Sequence, residues 1–201
     1  MRSGRPRRLV CGVGLNDYNG FTASTKGRIP EYDVWRTIIR RCYSKEHIDK
    51  FPTYKDAFVE DCLLKFTNFL DFSKTVKNFK RKGWDIDKDV LGRELGIHGY
   101  TRETIVYVPK DINYLILEND AIRGELPMGV AFCKQTGRYK ASIKKFGKTF
   151  NIGRFDTVEE AERRYKAEKF EQIGVVAEMY KGIVDDRVYN ALMGYHRERF
   201  V

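Results

Sequence analysis

The chain has 201 residues, of which 42% are hydrophobic and 13% aromatic, and its formal net charge is +10 at pH 7. This composition supports a packed core and excludes global disorder, and the length accommodates one ordinary domain or two small ones. No run of about 18 apolar residues occurs, so we expect no membrane-spanning helix. The excess of positive charge favours a polyanionic partner.

The chain begins with a basic segment. Residues 1–10 carry four arginines, and Gly4 and Pro6 disfavour a helix there. Two interpretations stay open: a basic arm that follows a phosphate backbone or enters a minor groove, or a terminus without a role. No apolar segment follows the arginines, so a secretion signal is not indicated.

The cysteines indicate the redox environment rather than a metal site. They are scattered without a C-x-x-C pair, at Cys11, Cys42, Cys62 and Cys133. We expect reduced thiols in an intracellular protein and do not predict a zinc site.

Helical periodicity first occurs at residues 31–44, where apolar side chains recur on one side and arginines on the other. Trp35 lies on the apolar side. We interpret it as a core anchor, with base stacking as the alternative. Arg40 and Arg41 either contact phosphates or solvate the helix. A second apolar periodicity over residues 58–79 predicts more helical core.

Three carboxylates alternate along the segment 84–91. On a strand, Asp85, Asp87 and Asp89 would share one face. Crowded carboxylates repel one another unless a cation lies among them, and hard oxygen ligands suit Mg²⁺. A loop, a second strand over 100–109 and a helix follow, and Asn113 would add an amide oxygen from that helix. The alternative is a hairpin whose acids cap turns or pair with the basic residues 80–82.

The most basic part of the chain runs from residue 129 to residue 155 and contains no Asp or Glu. Its seven cationic residues are Lys134, Arg138, Lys140, Lys144, Lys145, Lys148 and Arg154. Turn signals at Thr136-Gly137 and Phe146-Gly147 divide the segment into three predicted strands.

Alternation predicts that this sheet has one apolar and one cationic face. Tyr139, Ala141 and Ile143 alternate with Lys140, Ser142 and Lys144, and Phe150 and Ile152 alternate with Thr149 and Asn151. Thr157 and the acids that follow it predict the start of a helix that extends to about residue 174. Helical periodicity then continues to residue 201, in a tail that packs back on the chain or pairs with a second copy as a homodimer.

Together these elements predict an α+β fold. We expect a helical and ββα module at 11–123, a boundary in the polar stretch 118–126, and a three-stranded antiparallel sheet packed on a helix at 127–175. The helical tail occupies 176–201.

The basic segment resembles the Apetala-two/ERF-type DNA-binding domain. The residues that carry the resemblance are Gly129, Val130, Gly137, Tyr139, Ala141, Ile143, Ile152, Gly153, Phe155, Thr157, Glu159, Glu160, Ala161 and Tyr165. In that family the sheet reads the major groove of double-stranded DNA. The resemblance implies that Lys140, Ser142, Lys144, Thr149 and Asn151 face DNA, with Lys134 and Arg138 at the turn, and Lys148 is a further candidate for DNA binding. Thr136 and Asn151 stand where plant members often carry tryptophan.

The first module resembles the ββα-metal (HNH, or His-Me finger) core of phage homing-type endonucleases. The motifs that carry this resemblance lie at residues 32–44, 52–54, 87–89 and 100–113. It implies a Mg²⁺-dependent DNA endonuclease or nickase in the cytoplasm of an infected bacterial host. Asp87 and Asn113 would hold the metal.

The match departs from the family at the general base. Asp87-Lys88 stands where Asp-His is expected, which leaves Lys88, Asp89 and His98 as catalytic candidates. The alternative is a catalytically inactive DNA-binding regulator, or an inhibitor of host machinery with a host protein as its target.

Overall fold

The computed structural model describes residues 9–19, 29–116 and 126–197. The fold of these residues is α+β, as the sequence predicts. Most of the predicted basic arm and nearly all of the predicted boundary at 118–126 lie outside the described residues. All four cysteines are described, and none of them forms a disulfide bond.

The described residues contain seven α-helices and seven β-strands. The first eight elements are α1 Pro30–Tyr43, α2 Lys45–Lys50, β1 Phe58–Val59, α3 Phe66–Ser73, β2 Trp84–Asp87, α4 Asp89–Leu95, β3 Gly99–Tyr100 and β4 Val106–Pro109. The others are α5 Lys110–Ile116, β5 Val130–Cys133, β6 Arg138–Lys145, β7 Lys148–Phe155, α6 Val158–Tyr180 and α7 Asp186–Arg197. In this described part, no helix combines the length and apolar character needed to cross a bilayer.

The chain divides into two compact units between Tyr107 and Val108. This division precedes the boundary that the polar stretch 118–126 suggested. The difference arises because α5 packs against α6 and therefore belongs to the second unit.

Trp35 is the centre of the first unit's core. Its side chain is fully buried, it packs against Tyr32 and Phe66, and its indole Nε1–H donates a 2.8 Å hydrogen bond to the carbonyl of Leu63. A buried indole needs such a partner, because an unsatisfied N–H costs about 1–3 kcal/mol. The interpretation of Trp35 as a core anchor is confirmed.

The predicted helical core over 58–79 is only partly correct. Residues 66–73 form α3, but Phe58 and Val59 form a strand that pairs in parallel with Gly99 and Tyr100. The ring of Phe58 lies over Gly99, where a Cβ atom would come within 2.6 Å of it. Phe58 is 43% exposed and is not part of the buried core. Its helical spacing from the buried residues Phe66 and Phe69 therefore does not reflect a helix.

The three alternating carboxylates do not share one strand. Strand β2 ends at Asp87, and Asp89 is the first residue of α4. The carboxylate of Asp87 accepts the backbone N–H groups of Asp89 and Val90, at 2.8 and 2.9 Å. It thereby satisfies donors that the helix start leaves unpaired. The alternation in this segment therefore marks a strand-to-helix junction.

The second unit is built on the predicted antiparallel sheet, in the order β5-β6-β7. Ala141 and Ile143 are buried, and they belong to one cluster with Ala161 and Tyr165 of α6. The turn between β6 and β7 has positive φ at Phe146 and Gly147, 47° and 80°, as a tight two-residue hairpin requires. Both predicted turns are present, and α6 covers the apolar face of the sheet.

Helix α6 starts as predicted but continues beyond residue 174. The hydroxyl of Thr157 accepts the N–H of Glu160 and caps the first turn. Gly174 does not end the helix: the ring of His196 lies where a Cβ of Gly174 would be, within 2.8 Å. This glycine therefore permits close packing of α7 on α6. The sequence predicted that the tail either packs back on the chain or pairs with a second copy, and packing back on the chain is observed.

Candidate nucleic-acid interface

The register of β6 and β7 places cationic and polar side chains on the face of the sheet opposite α6. Directly paired residues of antiparallel strands share a face. The pairs on this free face are Lys140 with Arg154, Ser142 with Asn151, and Lys144 with Thr149. Ala141 and Ile143 alternate with these residues and are buried on the other face. The predicted division into apolar and cationic faces is confirmed for β6.

A β-bulge determines which face Arg154 occupies. The register shifts between Ala141 and Ser142, so that Ala141 pairs with Gly153 while Ser142 pairs with Asn151. Ile152 is the extra residue and packs against the apolar cluster. In a regular strand, every second residue lies on the same face, so Arg154 would share the α6 side with Phe150 and Ile152. The bulge instead moves Arg154 to the free face, and the signal for it was Gly153 within a strand.

Two of the seven cations pair with acids of the same unit. Arg138 makes a bidentate ion pair with Asp156, in which Nε and Nη2 of the guanidinium donate to the two carboxylate oxygens at 2.7 and 3.1 Å. Lys145 pairs with Glu168 of α6. Lys148 lies opposite Lys145 in the register and therefore on the α6 side, which makes it a weaker candidate for DNA binding by the free face than the sequence suggested.

Besides Lys148, four cations remain without an acidic partner among the described residues. They are Lys134 beside the first turn and Lys140, Lys144 and Arg154 on the free face. Like charges directly opposite one another, such as Lys140 and Arg154, destabilise a sheet. A surface that keeps such a pair is electrostatically suited to a polyanion.

The first unit brings together the predicted catalytic candidates. Lys88 is only 2% exposed, and its Nζ donates a 2.5 Å hydrogen bond to the carboxylate of Asp89. Nδ1 of His98 lies 3.5 Å from the same Nζ. Nε2 of His98 lies 3.0 Å from the carbonyl of Thr53, which can only accept a hydrogen bond, so Nε2 carries the proton. The lone pair of Nδ1 then faces the ammonium group of Lys88.

These contacts assign different chemistry to the three side chains. An ammonium group has no lone pair with which to accept a proton, so Lys88 acts here as a donor that holds Asp89. Asp89 is about half exposed, at 49%, and its carboxylate can accept a proton from a water molecule. His98 is already engaged through both ring nitrogens.

Asp87 is a buried carboxylate in an unfavourable environment. Burial raises its pKa to about 6, opposed by the hydrogen bonds from the backbone of Val90 and Asp89. Both hydrogen bonds reach Oδ1, and Oδ2 accepts neither of them. Mg²⁺ is commonly held by one or two carboxylates together with waters and substrate phosphates. One carboxylate oxygen does not by itself form such a site, and a further ligand such as Asn113 would be required.

Arg41 belongs to the same region, and sequence reasoning did not place it there. Its guanidinium donates a 2.9 Å hydrogen bond to the hydroxyl of Tyr100. Burial by itself would lower the pKa of Arg41, but Tyr100, Tyr54 and Asp87 reverse the effect and raise it. Nothing in the sequence indicated that Arg41 lies close to Asp87, because the helical periodicity placed Arg41 on the side of its helix opposite the apolar residues.

The metal pair implied by the resemblance stays a prediction. Asn113 lies half-buried in α5 of the second unit, whereas Asp87 belongs to the first. Among the described residues, no group of three or more His, Cys, Asp or Glu side chains is arranged to hold a metal ion.

No protein family, curated protein or solved structure matches this chain. A functional assignment therefore depends on the geometry described above and on the motifs.

Proposed function

We propose that this protein binds double-stranded DNA through the free face of the β5–β7 sheet. Lys140, Lys144 and Arg154 would contact phosphates. Ser142, Thr149 and Asn151, which the register interleaves with these cations, would face the base edges. The observation that carries the proposal is this register, which gathers neutral hydrogen-bonding side chains and cations without an acidic partner in the described part of the chain on one surface.

The dimensions of the sheet are compatible with a DNA groove. At about 3.3 Å per residue, the Cα atoms of Lys140 and Lys144 lie about 13 Å apart along β6. The major groove of B-DNA is about 12 Å wide and admits a β-ribbon. The bulge at Ile152 increases the local twist of the ribbon. A twisted face whose three strands carry no acidic residue favours a duplex.

Binding to a labelled duplex of about 20 base pairs, followed by fluorescence anisotropy, tests the proposal. Simultaneous Lys140→Gln, Lys144→Gln and Arg154→Gln substitutions should weaken binding at least tenfold, because each removes a phosphate contact. Lys166→Gln is the matched control, since Lys166 is an exposed cation of α6 that pairs with Glu162. Equal affinities of the triple variant and the parent would refute the proposed surface.

A second candidate function is metal-dependent DNA cleavage in the first unit. The observation that favours it is the convergence of Lys88, Asp89 and His98 beside the buried carboxylate of Asp87. Asp87 and Asn113 would hold Mg²⁺, which when bound supplies the positive charge that stabilises a phosphate during cleavage. Asp89 would accept the proton of the attacking water, and Lys88 would fix the position of Asp89.

The motifs also support a proposal about context. A phage-type endonuclease or nickase acting on DNA in the cytoplasm of an infected bacterium accounts both for the basic sheet and for the group formed by Asp87, Lys88, Asp89 and His98. A catalytically inactive regulator, or an inhibitor directed at a host protein, accounts for the missing histidine at position 88. DNA binding by the sheet is common to the nuclease and the regulator.

A further inference from the structure

The second unit contains a cavity beside the proposed duplex-binding surface, and the two share Ser142 and Lys144. Its volume is about 360 Å³, and it lies between α5, α6 and the β6 edge next to the β6–β7 turn. Sites for small ligands and cofactors occupy about 300–1,000 Å³. The cavity is therefore large enough for a small molecule.

One wall of the cavity is a stretch of the β6 edge that no strand among the described residues pairs with. The N–H of Ser142 donates to the carbonyl of Gly129 on the β5 side of β6. Backbone groups alternate along a strand, so the N–H and C=O of Lys144 point to that same side. Strand β5 begins at Val130, opposite Ala141, and no described residue pairs with the backbone of Lys144 there. Lys144 thus presents one donor and one acceptor at the cavity.

The α6 wall contains a buried amide with an unused acceptor. Gln172 lines the cavity and is only 5% exposed. Its Oε1 has no hydrogen-bond partner among the described residues. A buried, unsatisfied carbonyl oxygen is costly, and such a group in a cavity indicates a ligand that donates a hydrogen bond.

The rest of the lining includes aromatic rings, two lysines and one carboxylate, that of Asp111, whose negative charge partly offsets the lysines. Tyr114 of α5 is 66% exposed and Phe146 of the turn is 50% exposed. Nζ of Lys144 lies 5.8 Å from the centre of the Tyr114 ring, and Lys169 contributes a second ammonium group from α6. Exposed rings provide stacking surfaces for a flat molecule, and the two lysines favour an anionic group on it.

We infer that this cavity binds a nucleotide. The base stacks on Tyr114, its edge pairs with the backbone N–H and C=O of Lys144, and an exocyclic amino group donates to Oε1 of Gln172. Lys144 and Lys169 contact the phosphate. Because Gln172 offers an acceptor, AMP, CMP and GMP should bind more tightly than TMP. The inference does not require duplex binding by the sheet.

The nucleotide has two sources, a free mononucleotide or a nucleotide unstacked from bound DNA. Isothermal titration calorimetry of the full chain with each mononucleotide tests the first source. A duplex containing one 2-aminopurine tests the second, because fluorescence of that base rises when it leaves the stack. A signal in either arm supports the site, and its absence from both arms overturns it.

Two variants and one control identify the binding residues. Tyr114→Ala removes an exposed ring and should weaken binding about tenfold or more, since base stacking on aromatic side chains contributes substantially to affinity. Gln172→Leu should abolish the preference for amino-bearing bases. Phe150→Ala is the matched control, because Phe150 is an exposed ring of the same unit, 48% exposed and outside the cavity. Unchanged affinity in Tyr114→Ala, with native circular dichroism, would overturn the inference.

Discussion

Lys140 lies directly opposite Arg154 in the pairing of β6 with β7, and neither side chain has an acidic partner among the described residues. A second like-charged pair, Lys145 with Lys148, occupies the α6 side of the same hairpin. There Glu168 of α6 offsets the repulsion by pairing with Lys145. On the α6 side, an acid compensates the repulsion between the two cations. On the free face no described acid does so, which accords with a polyanionic ligand there.

The repulsion predicts opposite effects of Lys140→Gln on stability and on DNA affinity. Removing one member of a like-charged pair should raise the free energy of unfolding by about 0.2–1 kcal/mol. The same change should weaken duplex binding, because a phosphate contact is lost. Urea denaturation and fluorescence anisotropy measure the two effects.

Lys166→Gln is the control for that experiment. It removes an i,i+4 pair with Glu162 and should lower stability by about 0.2–0.5 kcal/mol without changing DNA affinity. If Lys140→Gln lowered both stability and affinity, the uncompensated repulsion would not be present in solution.

The two tryptophans should differ strongly in their contribution to stability. Trp35→Phe removes the hydrogen bond to the carbonyl of Leu63 and leaves a cavity in the core, which should cost about 2–4 kcal/mol. Trp84→Phe changes a partly buried ring that lies under the guanidinium of Arg81 and should cost less than about 1 kcal/mol. Equal losses in urea denaturation would contradict the assignment of Trp35 as the centre of the first unit.

His47 should make the first unit sensitive to mild acid. Burial lowers its pKa below the ordinary value of 6.5, and Arg41, Arg40 and Lys50 lower it further while Glu46 opposes them. As the pH falls below about 6.5 the unfolded chain takes up a proton that the folded chain does not, so stability decreases.

Substitution by a neutral side chain isolates this effect. Between pH 7.5 and pH 5.5, the parent should lose more stability in urea denaturation than His47→Gln. Other groups that titrate in this range contribute equally to both proteins and cancel in the comparison. An equal loss in the two proteins would show that the pKa of His47 is not lowered by folding.

If the protein cleaves DNA, it should nick supercoiled plasmid in the presence of Mg²⁺, and EDTA should abolish the nicking. Asp87→Ala and Asn113→Ala should each reduce nicking by at least a hundredfold, because both remove a proposed metal ligand. Asp71→Asn is the control, since Asp71 is an exposed carboxylate of α3 paired with Lys74. Nicking by the two alanine variants at the parental rate would refute the metal assignment, and absence of nicking by the parent would favour the non-catalytic alternative.

Local patterns predicted the second unit well. Period-two alternation at Tyr139, Ala141 and Ile143 identified the buried face of β6, and Thr157 identified the start of α6. These signals are local, because one strand and one capped turn contain them. The face of Arg154 was not predictable by counting, because the bulge at Ile152 depends on pairing with the neighbouring strand.

The first unit was predicted less accurately, because its geometry depends on distant residues. Phe58 lies in a strand because Gly99 admits its ring, and the two positions are far apart in sequence. Asp89 is in a helix because Asp87 caps that helix, a role that alternation alone cannot distinguish from a strand. The grouping of Lys88 with His98 likewise needs the complete fold.

The central claim is that the free face of the β5–β7 sheet binds phosphates, and the salt dependence of duplex binding tests it most directly. The logarithm of the binding constant falls with the logarithm of salt concentration, with a slope of about −0.9 per phosphate contact. The slope of the Lys140→Gln, Lys144→Gln and Arg154→Gln triple variant should therefore be about 2.7 units shallower than that of the parent, whereas Lys166→Gln should leave it unchanged. Identical slopes for the parent and the triple variant would contradict the account.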